Sequence, residues 1–397
     1  MFREDFKMLD NNIIYFDSGA TTLKPKILST VTDEYYNDYT ANAHRGDYDN
    51  SLIVDSKYEN VRELVKNFIN AKSSKEIVFT NNATDSLNKI IFGYFANILK
   101  ENDEVLITKS EHASNVLPWF ELQEKIGIVV KYIELNNNHE VTLENVEAAI
   151  SKNTKVIALA QVTNTIGDTR PIKEICALAH KNGILVLVDG AQSVPHMKVD
   201  VEDLDADFLV FSAHKMLGPT GVGVIYGKEK YLNDTRPIIF GGGMNAIFNY
   251  DGYREYENIP TKLEAGTPNI AGVIAFGEII NYINKIGIDE VHKHGLELKE
   301  YTLKNLKEIP EIKVYNENIK GNIVLFNYED VFAQDLAIYL NKYNICVRAG
   351  NHCAKILKDE IGIKNTCRMS FYLYNTKEEI DTLVETLKNP NLKRDII

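Results

Sequence analysis

Apolar residues follow two alternating spacings from about residue 58 to residue 226. Residues 58–68 are apolar at every third or fourth position, which is the spacing of one helix face, whereas residues 77–80 (IVFT) form a short continuous apolar run. Short runs that are apolar on both faces are typical of buried strands in a parallel sheet. The pattern predicts strands at 77–80, 105–108, 128–133, 156–161, 184–188, 208–211 and 222–226, and helices at 84–99, 116–125, 143–150 and 172–180.

This alternation predicts an α/β domain with a mainly parallel sheet that is covered by helices. In such sheets, ligands bind beyond the C-terminal ends of the strands. The polar residues that directly follow the predicted strands are therefore the first candidates for a site. They are Asn82 and Thr84, Glu111 and His112, Asn164, Asp189 and Gln192, and Ser212 to Lys215.

The remaining third of the chain has a different pattern. Residues 241–256 are rich in glycine and aromatic residues with few periodic positions, which predicts an ordered loop region. Beyond about residue 272, the pattern predicts two helices, strands at 323–326, 345–347 and 368–372, and a last helix at 377–387. We expect a large domain at residues 15–270 and a smaller α+β domain formed by residues 1–14 and 271–397.

Composition excludes several classes of protein. Of 397 residues, 44% are hydrophobic and 25% are charged, as in ordinary globular proteins. The 44 Lys and Arg residues against 56 Asp and Glu residues give a net charge of −12, which disfavours nucleic-acid and anionic-membrane partners. Four cysteines without C-x-x-C spacing predict neither a disulfide framework nor a metal site. Without a signal-like N-terminus or a long apolar run, we expect a soluble cytoplasmic protein.

One pair of strand ends carries specific chemistry. The run VLVD ends at Asp189, and a later strand is followed by Ser212-Ala213-His214-Lys215. Pyridoxal phosphate needs a lysine for its covalent attachment and an acid that keeps its pyridine nitrogen protonated. Taken singly, Lys215 is more commonly a solvated lysine and Asp189 a turn or helix-capping acid. Together, at two strand ends, they favour a site for this cofactor.

These residues belong to a longer series of motifs. The series comprises Asp189–Gln192, Ser212–Lys215, Gly218–Gly221 and Glu264–Asn269, with further matches at Tyr15–Ala20, Ala43–Gly46, Glu111-His112, Pro118-Trp119 and Arg348–Ala354. From about residue 13 onward, the chain resembles the class V aminotransferase family, and within it the cysteine desulfurase and selenocysteine lyase branch. The resemblance implies the aspartate-aminotransferase-like fold of pyridoxal-phosphate-dependent transferases, with a large domain and a small C-terminal domain.

The resemblance also implies roles for individual residues. Lys215 would hold pyridoxal 5′-phosphate, Asp189 would pair with the pyridine nitrogen, His112 would stack on the ring, Asn164 and Gln192 would bind the phenolic oxygen, and Ala83, Thr84, Ser212 and His214 would hold the phosphate. Thr267 would reach the phosphate of a partner subunit, which implies a homodimer. Arg368, Arg348 and His44 would bind the substrate. Without the resemblance, His112 is equally well read as a residue at a helix N-terminus that binds no ligand.

Cys353 distinguishes between the reactions of the family. In the branch that the chain resembles, this loop carries the nucleophile, and nearby positive charge favours the reactive thiolate. Most cysteines only pack in the core, and Cys176 and Cys346 fit that interpretation, while Cys367, next to Arg368, is a weaker candidate for the site. Asn351 stands where the branch often has histidine.

The resulting hypothesis is a cysteine desulfurase. It would convert L-cysteine to L-alanine, form a persulfide on Cys353, and pass the sulfur to a small acceptor protein for iron–sulfur cluster assembly. A selenocysteine lyase or another class V enzyme is the alternative within the family. A catalytically weak, cofactor-binding partner in a sulfur-transfer complex is the alternative outside enzymes, although the presence of both Lys215 and Cys353 argues against it.

Overall fold

A computed structural model describes residues 2–396; Met1 and Ile397, the ends of the predicted small domain, lie outside the described residues. The helices are α1 (Lys26–Asp38), α2 (Asp49–Phe68), α3 (Ala83–Ile90), α4 (Ala96–Ile98), α5 (Leu117–Ile126), α6 (Leu143–Ala149), α7 (Ile172–Lys181), α8 (Val201–Leu204), α9 (Glu229–Asp234), α10 (Ile270–Ile286), α11 (Ile288–Leu306), α12 (Ala333–Asn341), α13 (Lys355–Glu360), α14 (Lys377–Leu387) and α15 (Leu392–Asp395).

Within the described residues, the strands overlap every predicted apolar run and include four short strands that were not predicted. They are β1 (Ile14–Tyr15), β2 (Ile77–Thr80), β3 (Glu104–Thr108), β4 (Val129–Ile133), β5 (Thr154–Ala160), β6 (Leu185–Asp189), β7 (Phe208–Ser212), β8 (Gly223–Gly227), β9 (Asn245–Phe248), β10 (Arg254–Tyr256), β11 (Ile312–Val314), β12 (Ile323–Tyr328), β13 (Ile345–Cys346), β14 (Arg348–Gly350) and β15 (Thr366–Ser370).

Seven strands form the central sheet in the order β2-β8-β7-β6-β5-β3-β4. Neighbouring strands are parallel except around β8, which is antiparallel to both β2 and β7. Successive residues of β7 are buried on opposite faces, since Leu209 and Phe211 belong to one apolar cluster and Phe208 and Val210 to another. The sheet is therefore covered on both faces, which confirms the predicted α/β architecture.

A second, antiparallel sheet lies in the C-terminal part of the chain. Its strands run in the order β11-β12-β15-β14, and α11, α12 and α14 contribute to the apolar cluster beside it. The predicted strand at 345–347 is in fact two short strands, because β13 pairs with β1 while β14 pairs with β15. The pairing of β1 with β13 brings the N-terminal segment onto this part of the molecule.

The loop predicted at 241–256 contains a hairpin instead. Strands β9 and β10 pair with each other in antiparallel fashion, and most of their residues are exposed. A strand without a buried face shows no alternation of apolar and polar residues, so its sequence did not indicate a strand. Within residues 2–396, none of the helices combines the length and apolar character needed to cross a membrane.

Candidate active site

Ten of the predicted site residues line one cavity of about 530 Å³. They are Ala83, Thr84, His112, Asn164, Asp189, Gln192, Ser212, His214, Lys215 and Arg348. The first nine come from the segments at the C-terminal ends of β2, β3, β5, β6 and β7. Because these strands are parallel to one another, their ends share one edge of the sheet, which is why residues more than a hundred positions apart meet there.

At one end of the cavity, hydroxyl groups surround the start of α3. Asn82 caps this helix by accepting a hydrogen bond from the Asp85 amide (2.9 Å), and the Ala83 amide donates to Ser212 Oγ (2.7 Å). Thr84 Oγ1 lies 2.6 Å from Ser114 Oγ. A helix N-terminus with several hydroxyl groups suits a phosphate group.

Asp189 and Lys215 form the buried centre of the cavity. The Ala191 amide donates to Asp189 Oδ1 (2.9 Å), and burial raises the pKa of this carboxyl group. Burial also lowers the pKa of Lys215 to about 8, against the opposing effect of the Asp189 charge. A buried amine with this pKa is partly neutral near pH 7, and a neutral amine can act as a nucleophile or as a base.

His112 is held as a neutral imidazole. Burial, followed by the charges of Lys215 and Arg348, lowers its pKa to about 4. The Ser114 amide donates to His112 Nδ1 (3.1 Å), so the proton of the neutral ring is on Nε2. His214 is neutral for a similar reason, since burial and Lys215 lower its pKa to about 4.

The two predicted amide side chains are both held by the backbone of other segments. Gln192 Nε2 donates to the Gly19 carbonyl (2.8 Å). Asn164 Nδ2 donates to the carbonyl of His352 (2.6 Å), the residue before Cys353. Asn164 therefore connects the cavity to the loop that carries the predicted nucleophile.

Cys353 is exposed at the rim of the cavity and is not part of its lining. Its Sγ lies 3.6 Å from Nη2 of Arg348, which does line the cavity. The Cys353 carbonyl accepts a hydrogen bond from the Ala113 amide (2.9 Å), directly after His112. The loop is thus tied to the cavity wall on both sides of the thiol.

Arg368 lies fully buried beneath the lining. Its Nη1 donates to the carbonyl of Asn164 (2.8 Å), and its Nη2 pairs with Asp17 Oδ1 (2.9 Å). Its Nε is buried without a hydrogen-bond partner. Arg368 is one of the charges that lower the pKa of Lys215, so it adds positive potential to the cavity from below.

Two predicted residues lie away from this chain's cavity. His44 is half-exposed, with Nε2 3.2 Å from Glu59 Oε1, and the hydrogen bond that His44 donates to Glu59 raises the pKa of His44. Thr267 is exposed, and its Oγ1 lies 3.4 Å from Asn42 Nδ2. Neither side chain lines the cavity of the chain that carries it.

The other cysteines do not reach the cavity. Cys176 is buried, and Cys367 Sγ donates to the Ala333 carbonyl (3.2 Å). Cys367 points away because successive residues of β15 face opposite sides of the sheet, and Arg368 occupies the side toward the cavity. Among residues 2–396, no three His, Cys, Asp or Glu side chains are grouped as metal ligands.

Sequence reasoning missed several residues that shape the site. Ser114 contacts Thr84 across the cavity, and Lys24 Nζ donates to the His214 carbonyl (2.7 Å). Glu111 and Arg170 form a fully buried ion pair behind His112. The motif Glu111-His112 marked one of these residues, but no spacing along the chain indicates the partners, which come from distant segments.

The cavity fits pyridoxal 5′-phosphate in size and charge. Its volume is within the range of small-molecule sites. Lys215, Arg348 and Arg368 all lower the pKa of His112, so the cavity is electropositive although the chain has a net charge of −12. Lys215 and Asp189 would hold the aldehyde-bearing carbon and the ring nitrogen, and Thr84, Ser212 and the start of α3 would hold the phosphate.

Comparison with known proteins supports this assignment. The family profile described as aminotransferase class V matches residues 14–383. A probable cysteine desulfurase of Halalkalibacterium halodurans is 42% identical over 389 residues, covering 96% of this chain and 95% of that protein. The apo structure of a cysteine desulfurase from Thermococcus onnurineus superposes with a TM-score of 0.93 at 38% identity, covering 98% of this chain and 96% of that one. The cysteine desulfurase CsdA of Escherichia coli, in its S-sulfonic acid form, gives a TM-score of 0.93 at 32% identity, with coverage of 100% and 98%.

Proposed function

The chain belongs to the class V aminotransferase family, and on this premise we propose that it is a pyridoxal 5′-phosphate-dependent cysteine desulfurase, which converts L-cysteine to L-alanine. One observation favours cysteine desulfuration over the other reactions of this family. Arg348 lines the cavity that contains Lys215 and Asp189, and it also contacts the thiol of Cys353. A thiol is therefore held at the mouth of a cavity that is built for an amino-acid reaction.

The substrate is held by charge. Arg348, at the cavity wall, and Arg368, through the Nε that has no other partner among residues 2–396, provide guanidinium groups for the cysteine carboxylate, because charge-assisted hydrogen bonds to a carboxylate are strong. Lys215, with its pKa of about 8, takes the proton from the α-carbon of the substrate. When bound, the cofactor supplies an electron sink for the negative charge that develops next to the substrate nitrogen.

Cys353 carries out the sulfur transfer. Its thiolate attacks the sulfur of the substrate, so an S–S bond forms as the bond between that sulfur and the β-carbon breaks. The electron pair of the broken bond stays with the β-carbon, which takes up a proton and becomes a methyl group, and Lys215 returns a proton to the α-carbon to give alanine. The sulfur remains on Cys353 as a persulfide, and a thiol reductant releases it as sulfide.

The test measures alanine and sulfide formed from L-cysteine in the presence of a thiol reductant. Wild type should release the two products in equal amounts, Cys353→Ala should release neither, and Cys346→Ala serves as a control at a half-buried cysteine. Comparable turnover by Cys353→Ala would exclude the proposed mechanism. Parallel assays with L-selenocysteine test the lyase alternative, for which the loss of Cys353 should matter less.

We also propose a homodimer with shared sites. Support comes from Thr267 and His44, which lie outside the cavity of their own chain, with Thr267 exposed. In the dimer, Thr267 reaches the cofactor phosphate of the partner subunit. Mixing the inactive variants Lys215→Ala and Thr267→Trp tests this, because a hybrid dimer has one site with both wild-type residues. Activity that does not recover after mixing would contradict shared sites.

The proposal extends to the fate of the sulfur. The exposure of Cys353 leaves its persulfide accessible to a small acceptor protein, which we place in iron–sulfur cluster assembly. All four cysteines are free, which suits the reducing cytoplasm that we propose as the location. Transfer of radiolabelled sulfur from Cys353 to a candidate acceptor would identify this partner.

A further inference from the structure

The turn that carries Cys353 is strained. His352 and Cys353 both have left-handed backbone angles, with φ of 52° and 59°. Outside glycine, such conformations are unfavourable and persist only where the surroundings hold them. The contacts that hold this turn therefore determine where the thiol points.

Two of these contacts are made by the backbone of the turn. The His352 carbonyl accepts from Asn164 Nδ2, and the Cys353 carbonyl accepts from the Ala113 amide. The third is made by the ring of His352, which is only 2% exposed and whose Nε2 lies 2.9 Å from Thr366 Oγ1. Its Nδ1 is buried without a partner, so Nε2 is the polar anchor of the ring.

Behind Thr366 lies a lysine that the mechanism does not use. Lys358, on α13, is 1% exposed, and its Nζ donates to Thr366 Oγ1. Within residues 2–396, this is its only side-chain hydrogen bond, and burial lowers its pKa to about 8. A buried amine without a carboxylate partner is destabilising compared with an apolar side chain of similar size.

The side chains of this cluster form one continuous chain of hydrogen bonds. The amino group of Lys358 donates to Thr366 Oγ1, which leaves the hydroxyl proton free for an acceptor. Burial, followed by the charges of Arg368 and Lys358, lowers the pKa of His352 to about 2, so its ring is neutral, and its Nε2 contacts the same Thr366 oxygen. The hydrogen-bonded chain from Lys358 through Thr366 thus ends at His352, the residue before Cys353.

We propose that Lys358 is a positioning residue for the sulfur transfer, and that it acts through Thr366 and the His352 ring to hold Cys353 in its strained turn. This inference rests on the proposed function for its effect on turnover. If Lys358 holds the turn, its loss should also loosen the hydrogen bond between the Ala113 amide and the Cys353 carbonyl. This effect can be measured whether or not the enzyme turns over cysteine.

The test compares four variants of the holoenzyme. Lys358→Met removes the donor at similar volume, and Thr366→Val removes the hydroxyl at similar shape. Thr366→Ser retains the hydroxyl, and Lys355→Met is the control, because Lys355 is on the same helix but exposed, where it pairs with Asp359. The measurements are kcat and KM for L-cysteine, and hydrogen exchange of the Ala113 amide, which reports the hydrogen bond to Cys353.

Lys358→Met and Thr366→Val should each lower kcat by about tenfold or more with KM unchanged, since displacing a reacting group costs rate rather than substrate binding. Both should speed exchange of the Ala113 amide, while Thr366→Ser and Lys355→Met should resemble wild type. Wild-type kcat and exchange in Lys358→Met would overturn the proposal. If that variant does not fold, unchanged exchange in Thr366→Val overturns it instead. If wild type itself does not turn over cysteine, the proposed function fails, and the exchange data still decide the positioning role.

Discussion

The Nη2 atom of Arg348 lies 3.6 Å from the Sγ of Cys353, and Arg348 is also part of the cavity wall. This one contact connects the predicted nucleophile with the predicted cofactor site. It also places a guanidinium group directly beside the thiol. The backbone of strand β14 holds Arg348, so the charge is carried by a regular element rather than by the loop.

Replacing Arg348 by glutamine should lower kcat for L-cysteine, because the substitution removes the contact between Nη2 and the Cys353 Sγ that holds the thiol beside the cavity wall. A side-chain hydrogen bond is worth about 1 kcal/mol, which corresponds to about fivefold in rate. Alanine release from L-cysteine measures the change. Lys355→Gln, which removes an exposed charge nearby, is the control, and equal effects of the two substitutions would exclude a specific role for Arg348.

The attachment of pyridoxal phosphate to apoenzyme should depend on pH through Lys215. The neutral amine is the nucleophile, and the pKa of Lys215 is about 8 because of burial. The rate of colour formation should therefore increase with pH up to about 8 and level off above it. A rate that continues to rise to about pH 10, as for an ordinary lysine, would contradict the lowered pKa. Lys215→Ala should form no stable coloured complex.

Arg170→Met should destabilise the protein strongly. The substitution leaves the carboxylate of Glu111 buried without its charge partner, which costs about 3–5 kcal/mol in comparable cases. The double variant Glu111→Gln with Arg170→Met should recover part of this loss. Urea unfolding followed by tryptophan fluorescence measures it, because Trp119, the only tryptophan, is hydrogen-bonded to Asn115, which is bonded to Glu111. An unfolding free energy of Arg170→Met equal to that of wild type would contradict the prediction.

Stability should decrease as the pH falls below about 6.5, in part through His196. Burial lowers the pKa of this histidine to about 3 in the folded state from a usual value of 6.5. Between these values the unfolded chain binds a proton that the folded chain does not, which costs about 1.4 kcal/mol of unfolding free energy per pH unit. His196→Phe should make the dependence of the unfolding free energy on pH shallower in this window. Parallel curves for the two proteins would exclude this contribution.

Much of the fold was predictable from local pattern. Most strands of the central sheet are apolar on both faces, and this gives a strong signal because they are buried between two layers of helices, whereas the edge strand β4 is only partly buried. The hairpin of β9 and β10 was missed for the opposite reason, since most of its residues are exposed. Cys367 is a similar case, because only the register of β15 shows that it faces Ala333 and not the cavity.

The sequence by itself determined where the strands end and which chemical groups follow them, from Thr84 to Lys215, because buried strands are visible as apolar runs. Since parallel strands end at the same edge of a sheet, it also predicted that these groups lie in one site. Tertiary structure alone decided which groups touch. It brought Ser114 to Thr84 and Arg348 to the thiol of Cys353. It also buried Lys358 behind Thr366. Hydrogen bonds between distant segments depend on how loops pack, and packing leaves no periodic signal in the chain.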